Sequence, residues 1–344
     1  MSGEASVETE VVIRPYRDDD ASEVLDLLVG SLGGGPAGER PPEYFQWKHL
    51  DNPFGRSYMI VAEFAGRIIG FRALMRWQFG IGDRTVEAVR PVDTVTHPDH
   101  RGRGVFSRLT RAALESLQGE IDLVFNTPNQ NSLPGYLKLG WEVVGQVPVS
   151  VRVCRPASFV LGKLRRSGSA SPPERPAISA PRASEVLEGD TEVAGLLERV
   201  ERVPGAYATP RTVPFLRWRF GDAPLLGYHA VVERDGDGLR GLAFFRLRAE
   251  GSLWGLSVAD VLVRDGDVSV ARSLLAAARR SANVAYVAAA FPPGSSAAAA
   301  HRGPTTMRAP RGMTFVVNPV RPDLRPDPRV LSSWALSTGD VEVF

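Results

Sequence analysis

The residues best suited to chemistry lie in one run, His97-Pro98-Asp99-His100-Arg101-Gly102-Arg103-Gly104-Val105-Phe106-Ser107-Arg108-Leu109. Upstream, Val92 to Thr96 alternate like a strand; downstream, Phe106, Leu109, Ala112, Ala113 and Leu117 recur at helical spacing. The glycines therefore sit where a strand turns into a helix. Such a turn presents several backbone N–H groups together with the positive end of the helix dipole, which makes an anion site. Arg101, Arg103, Arg108 and Arg111 add positive charge around it, so the expected ligand carries phosphate. No Gly-Lys-Ser/Thr follows the glycines, which argues against a P-loop nucleotide enzyme.

The elements that must position this turn read as β-α-α-β-β-β-α-β-α-β, a mixed α/β domain over residues 10–153. Residues 10–15 form a strand, and Ala21–Leu32 an amphipathic helix after the acidic cap Asp18-Asp19-Asp20. A glycine-rich loop, Gly30–Gly38, leads to a short helix around Pro42–Leu50. Tyr58–Phe64 and Arg67–Trp77 form a hairpin turning at Ala65-Gly66, and Arg84–Thr96 is the next strand region. Arg103–Leu117 is the helix leaving the turn. Ile121–Asn126 is a short buried strand, Gln130–Leu139 a helix and Trp141–Val153 a final strand. Residues 154–190 are expected to be a linker, its 164–186 stretch being rich in Arg, Ser, Pro and Ala.

The second half, 191–344, repeats the first weakly. Phe45-Gln46-Trp47-Lys48 matches Leu216-Arg217-Trp218-Arg219, Asp51-Asn52-Pro53 matches Asp222-Ala223-Pro224, and Gly70-Phe71 matches Gly241-Leu242, all at one and the same offset. Asp93 pairs with Asp260 further along. The segment Arg264–Val268 holds Gly266 alone and no Arg-x-x-Gly pattern, so the second half has lost the phosphate turn.

Composition bounds the rest. With 344 residues, 43% apolar and 23% charged, the chain suits two ordinary globular domains. A net charge of +2 argues against a broad nucleic-acid-binding surface. Lys48, Lys138 and Lys163 are the only lysines, and Cys154, the single cysteine, leaves no intramolecular disulfide or cysteine-based zinc site. His49, His229 and His301 show no metal spacing, and His97 and His100 flank the phosphate turn. No stretch approaches the ~20 apolar residues of a membrane span and the N-terminus lacks a signal core, so a cytoplasmic protein without membrane partners is expected.

Residues 10–153 resemble the GNAT family of N-acetyltransferases. Arg101-Gly102-Arg103-Gly104-Val105 looks like the family's Arg/Gln-x-x-Gly-x-Gly/Ala loop, and His97-Pro98 precedes it as such dipeptides commonly do. Asn129-Gln130-Asn131-Ser132-Leu133-Pro134-Gly135-Tyr136-Leu137-Lys138-Leu139-Gly140-Trp141 is similar to the family's Asn…Tyr-x-x-x-Gly-Phe helix. Phe106 departs from the usual Gly or Ala, as in the Eis-like branch of aminoglycoside acetyltransferases. That branch also sets a degenerate second domain behind a working first one; its sterol-carrier-like third domain has no room here. The resemblance implies tandem GNAT-type domains, the second degenerate.

It also implies a chemistry. Acetyl-CoA would be the cosubstrate, with no metal. The amides of Arg101, Gly102, Arg103, Gly104, Val105 and Phe106 would hold its pyrophosphate. Val95 and Thr96, on a strand splayed from its neighbour, would pair with pantetheine, one N–H polarising the thioester carbonyl. Tyr136 would protonate the leaving thiolate, and Asn129 or Asn131 would hydrogen-bond pantetheine or the loop, unless Asn129 is a helix cap. Asp93 is the internal candidate for the base, unless it is a strand-end carboxylate paired with Arg90 or Arg72. The terminal carboxylate at Phe344 would enter the first domain's site, as in Eis-like enzymes, unless the tail packs on the second domain. Tyr44 and Trp77 are candidate walls of the acceptor pocket. The expected acceptor is the primary amine of a small molecule: an aminoglycoside-like or other metabolite, an amino acid or a polyamine. A non-catalytic acyl-CoA binder and a protein or peptide amine acetyltransferase are the alternatives; O-acylation and oligomeric state stay open.

Overall fold

The computed structural model describes residues 10–32, 40–164, 174–310 and 312–342. Thirteen strands lie among them: β1 (Val12–Pro15), β2 (Tyr58–Phe64), β3 (Arg67–Ile81), β4 (Arg84–Thr96), β5 (Leu123–Asn126), β6 (Glu142–Val147), β7 (Ser150–Val153), β8 (His229–Asp235), β9 (Gly238–Glu250), β10 (Leu253–Val263), β11 (Tyr286–Ala289), β12 (Thr306–Arg308) and β13 (Met313–Pro319). The helices are α1 (Ala21–Leu32), α2 (Pro42–Phe45), α3 (Val105–Ser116), α4 (Leu133–Leu137), α5 (Pro156–Leu164), α6 (Ala183–Leu187), α7 (Asp190–Glu198), α8 (Val213–Leu216), α9 (Val268–Arg280), α10 (Ser296–His301) and α11 (Thr338–Val341). The fold is mixed α/β with two sheets, ordered β1-β2-β3-β4-β5-β13-β6 and β12-β7-β11-β10-β9-β8.

Local chemistry sets the frame of the first sheet. The β2–β3 hairpin turns at Ala65 and Gly66, both at positive φ (49° and 73°), the backbone of a tight two-residue loop. Above the sheet, α3 buries Val105, Leu109 and Ala113 against Ile60, Ala62, Ile69 and Val89. Gly70 lets that helix approach: a Cβ there would lie 2.9 Å from Val105 and 3.2 Å from Leu109. The core of the second sheet gathers Phe245, Leu256, Val258, Leu274 and Val287 under α9.

The chain divides into two compact units, but not at the boundary the sequence suggests. One comprises Met1–Gln78, Val86–Glu142 and Val316–Leu324; the other Phe79–Thr85, Val143–Phe315 and Arg325–Phe344. The expected single strand over Trp141–Val153 is two strands in different sheets, β6 in the first and β7 in the second. Pro148 stands between them, and without an N–H it cannot carry a ladder through. The first sheet then takes β13 from far along the chain, with Val316 opposite Asn126 and Val317 opposite Phe125. The expected linker, 154–190, is likewise partly structured. It holds α5 and α6, with Phe159 packed on Tyr286 and with Ala183 and Leu187 buried.

The internal repeat is plain in the elements. α2 runs into a π-helical turn at Gln46–Leu50; α8, its boundaries displaced by the offset of the sequence repeat, runs into the same turn at Arg217–Gly221. The β9–β10 hairpin uses strands of 13 and 11 residues where β3–β4 uses 15 and 13, four fewer in all. After the hairpin the offset between the halves is shorter by that difference, which equates Asp93 with Asp260.

Candidate active site

The start of α3 is built as an anion site. Its N-cap is Gly104, at φ 76°, and no side chain caps the helix. Gly102 is also left-handed, at φ 74°. A Cβ at either glycine would meet nothing within 4 Å, so backbone conformation, not crowding, calls for glycine there. Arg101 and Arg103 are exposed beside the turn, and Arg101 Nε donates to the Thr96 carbonyl at 3.2 Å, bracing the loop on the end of β4. Val105 is buried in the core below.

Beside this turn the sheet opens. β4 and β5 pair through Ala88–Leu123 and Val89–Val124 and, among the described residues, no further along β4, which continues to Val95 and Thr96. On the helix side of β4, Tyr136 of α4 is 4% exposed and packs on Phe106, centroids 5.7 Å apart, and on Trp141 at 5.3 Å. The Phe106 ring thus shapes the seat of Tyr136 while its amide remains at the turn. Arg72 of β3, fully buried, lies 5.0 Å over the Phe106 ring and 5.5 Å over that of Tyr136, with Nη1 3.4 Å from Thr94 Oγ1. Its Nε and Nη2 have no hydrogen-bond partner. Burial lowers this guanidinium from its ordinary range, while its interaction with the Tyr136 hydroxyl opposes the shift. Asn129 closes the turn leading into α4, whose N-cap is Ser132: its side-chain oxygen accepts from the amides of Asn131 (3.0 Å) and Ser132 (2.9 Å). Asn131 is exposed next to it.

Asp93 lies on β4 at φ 44° and is 4% exposed. It binds neither Arg90 nor Arg72 directly. Instead it holds Arg40 Nη1, Lys48 Nζ at 2.9 Å and His49 Nε2 at 2.9 Å. His49 Nδ1 in turn meets Ser57 Oγ at 3.0 Å. Burial works to raise Asp93, but Lys48, His49 and Arg40 together hold it well below the ordinary carboxylate range. Burial also lowers His49, so the ring is neutral at neutral pH, and lowers Lys48 against the pull of Asp93. A carboxylate held that low is a poor proton acceptor, and the expectation of Asp93 as base is corrected: it is the counter-ion of a buried cation cluster. Arg90, on the same strand, donates to Thr127 Oγ1 at 2.7 Å and is near enough to depress Lys48.

The expected pocket walls are also corrected. Tyr44 and Trp77 are 1% and 0% exposed. Tyr44 packs on Trp47 and carries Lys48 Nζ 5.6 Å from its ring; Trp77 sits against Phe54 and Phe125. Both are core. Of the Gly30–Gly38 loop, 33–38 lie outside the described residues, as does Phe344. As far as Glu342, the C-terminal segment is held within the second unit.

That unit shows what became of the site in the degenerate half. Where α3 begins bare, α9 is capped by Asp267, whose carboxylate accepts from the amides of Ser269 (2.8 Å) and Val270 (3.3 Å). Where β4 and β5 part, β10 and β11 part after Val258–Ala289. There Thr338 inserts, its N–H donating to the Ala290 carbonyl (3.0 Å) and its Oγ1 accepting from the Ala290 amide (2.7 Å). Sequence reasoning missed Arg40, Lys48, His49, Arg72 and Arg90. One signal was available for the first: Arg211 stands at the same offset from Arg40 as the other landmarks of the repeat stand from theirs.

Residues 12–144 match the family model of an acetyltransferase (GNAT) domain. A solved structure from Enterococcus faecalis, described as a probable N-acyltransferase, is similar over 91% of this chain and 73% of its own, at 13% identity and TM-score 0.66. A GCN5-related N-acetyltransferase from Anabaena variabilis is similar over 90% and 73%, at 13% identity and TM-score 0.62. Eis1 from Mycobacterium abscessus is similar over 90% and 74%, at 17% identity and TM-score 0.57. At these identities the likeness is one of fold. No curated protein matches the sequence. Among the described residues no helix is long and apolar enough to cross a membrane, and no group of three or more His, Cys, Asp or Glu is placed to hold a metal.

Proposed function

We propose that this chain, an acyltransferase whose residues 12–144 are an acetyltransferase (GNAT) domain, moves an acetyl group from acetyl-CoA to the primary amine of a small molecule in the cytoplasm. The observation that carries the reading is the uncapped start of α3, formed by two left-handed glycines at the mouth of a parted sheet. A diphosphate fits it: backbone donors, a helix dipole and two exposed arginines converge there, with open space around both glycine Cα atoms. Acetyl-CoA supplies the activated acyl group as its thioester.

The chain's own residues supply placement and proton control. The amides from Arg101 to Phe106 would hold the diphosphate and so fix the position of the acyl end, the positional advantage that makes a bimolecular reaction effectively unimolecular. Val95 and Thr96, on the free edge of β4, offer backbone groups to the pantetheine arm; a donor aimed at the thioester oxygen is worth about 3–4 kcal/mol at the transition state. Tyr136 Oη holds the proton needed by the departing thiolate, with the Arg72 guanidinium beside it to stabilise developing negative charge. Asn131 stands at the start of α4, within the same rim. Asp93 contributes by fixing Arg40 and Lys48.

Calorimetric titration with acetyl-CoA, paired with thiol release across a panel of amines, tests this reading. Binding and release with one acceptor class are expected. Gly104→Val, a β-branched residue at φ 76°, is expected to remove the binding while the core stays folded. Absence of heat from the folded wild-type chain would sink the proposal.

A further inference from the structure

At one place where the first half holds an ion pair, the second half brings two arginines together without a carboxylate between them. The register fixes the comparison. The Tyr16 amide donates to the Met59 carbonyl at 3.0 Å, and the Pro181 carbonyl accepts from the amide of Ala230, the residue at the repeat offset from Met59, at 3.1 Å. Arg17 and Arg182, next along the chain, open matching turns: the Arg17 amide donates to Asp20 at 2.7 Å and the Arg182 amide to Glu185 at 3.3 Å. The residue that follows is Asp18 in the first half and Ala183 in the second. Asp18 pairs with Arg56, and the residue at the repeat offset from Arg56 is Gly227. Both members of the pair are therefore missing from the second half.

Two guanidinium groups converge there instead. A Cβ on Gly227 would lie 3.0 Å from Arg182 Nη1 and 3.6 Å from Arg175 Nη2. Gly227 stands at φ 56°, so conformation and space both call for glycine. Arg175 and Arg182 are exposed, and among the described residues neither forms an ion pair. Together they line two open clefts of about 590 and about 420 Å³. Ile178 and Pro181 wall the first cleft, Phe220 and Leu225 the second. The segment carrying the arginines is tied down, since Arg182 bridges His229 and the Ser179 amide donates to the Ser281 carbonyl at 2.9 Å. Glu185, the carboxylate lining the first cleft, is engaged by the Arg182 amide. Burial lowers His229 in the same cleft, with Arg182 and Arg175 adding to the shift, so the ring is neutral at neutral pH.

Two like charges held at one point call for a ligand with two negative charges. A phosphate monoester is largely a dianion above about pH 6, and its oxygens match the planar fork of each guanidinium. A carboxylate would leave one arginine unmatched. We propose that Arg175 and Arg182 form a binding site for a phosphate monoester, its phosphate over Gly227 between the two guanidinium groups and its remaining part in the clefts beside them. This site lies wholly within the second unit, uses no residue of the turn before α3, and does not rest on the acetyltransferase reading.

Calorimetric titration of AMP, glycerol 3-phosphate and inorganic phosphate onto the full-length chain tests the proposal. At least one of the two esters is expected to bind, more tightly than inorganic phosphate. Arg175→Gln and Arg182→Gln are each expected to weaken that ester by about tenfold or more, the effect of losing a hydrogen bond to a charged group. The melting temperature and the Kd of acetyl-CoA should stay at their wild-type values, because both side chains are exposed and stand apart from the turn before α3. Ester binding that survives both substitutions unchanged, or is lost in Gly104→Val instead, would place the ester at that turn and overturn the proposal. Inorganic phosphate binding as tightly as the esters, or no heat from any of the three at millimolar concentration, overturns it as well. Ester binding that depends on the two arginines, without any heat from acetyl-CoA, would remove the acetyltransferase reading and leave this site standing.

Discussion

Arg72 poses the sharpest question at the scale of single residues. It is a fully buried cation, with Nε and Nη2 unpartnered, facing two aromatic rings. The corresponding position in the second half is Ala243, so the fold does not require a charge there. Buried ions without a counter-ion cost stability. Its retention beside Tyr136 fits a role in positioning that hydroxyl. Arg72→Met is therefore expected to leave the melting temperature unchanged or higher while kcat falls; a loss of both would make the residue structural. Tyr136→Phe is expected to lower kcat by about a hundredfold, the low end for loss of a positioned acid, with the acetyl-CoA Kd unaltered. An unchanged kcat would remove Tyr136 from the chemistry. The placement of Tyr136 on a short helix before Trp141 was legible because its motif is local. Arg72 was not, because one arginine in a fifteen-residue strand does not announce which face it occupies or what lies across from it.

The two helix starts make a natural contrast at the scale of elements. The turn before α3 was legible, since its glycines and arginines act through the backbone they impose. Its counterpart was read as merely lost, whereas Asp265 and Gly266 keep the left-handed turn (φ 55° and 69°) and Asp267 closes the helix. Asp267→Ala is expected to cost the second unit about 1 kcal/mol, the usual value of an N-cap, in urea unfolding. Acetyl-CoA binding should not change; a change would mean that α9, and not only α3, takes part in the site. The sheets were less legible than the helices. Residues 141–153 look like one strand because their apolar content is continuous, and only pairing partners far along the chain reveal two. Strand pairing over such separations leaves no local signal beyond Pro148.

The duplication organises the whole molecule, and its second half fills with its own side chains the helix start and the sheet parting that the first half leaves bare. Asp340 is fully buried on Arg211, and Ser337, Thr338 and Val341 are buried around it. Asp340→Ala leaves Arg211 facing Asp260 alone, and breaking such a buried pair is expected to cost about 3–5 kcal/mol. A melting temperature within a degree or so of wild type would show that the tail is not part of the second core. Acid acts on both units, because burial lowers His49, His229 and His301 alike, the last to about 4. His301 is buried and ring-packed on Phe291, with Arg152 adding to the shift. An unfolded chain takes up the proton from about pH 6.5 downward, whereas the folded protein refuses it until about pH 4. Stability is therefore full above that window and falls through it as pH drops, by on the order of 3 kcal/mol for His301 alone. Asp93 adds a further loss as pH falls through the ordinary carboxylate range, since the unfolded carboxyl takes up a proton there while the folded one, held by its cations, does not. Urea midpoints measured from about pH 7.5 to about pH 4.5 should hold until about pH 6.5 and decline below it, and His301→Gln should flatten that decline whatever its stability at neutral pH. A flat wild-type profile across this range would mean that these rings charge inside the folded protein as easily as in water, which their burial does not allow.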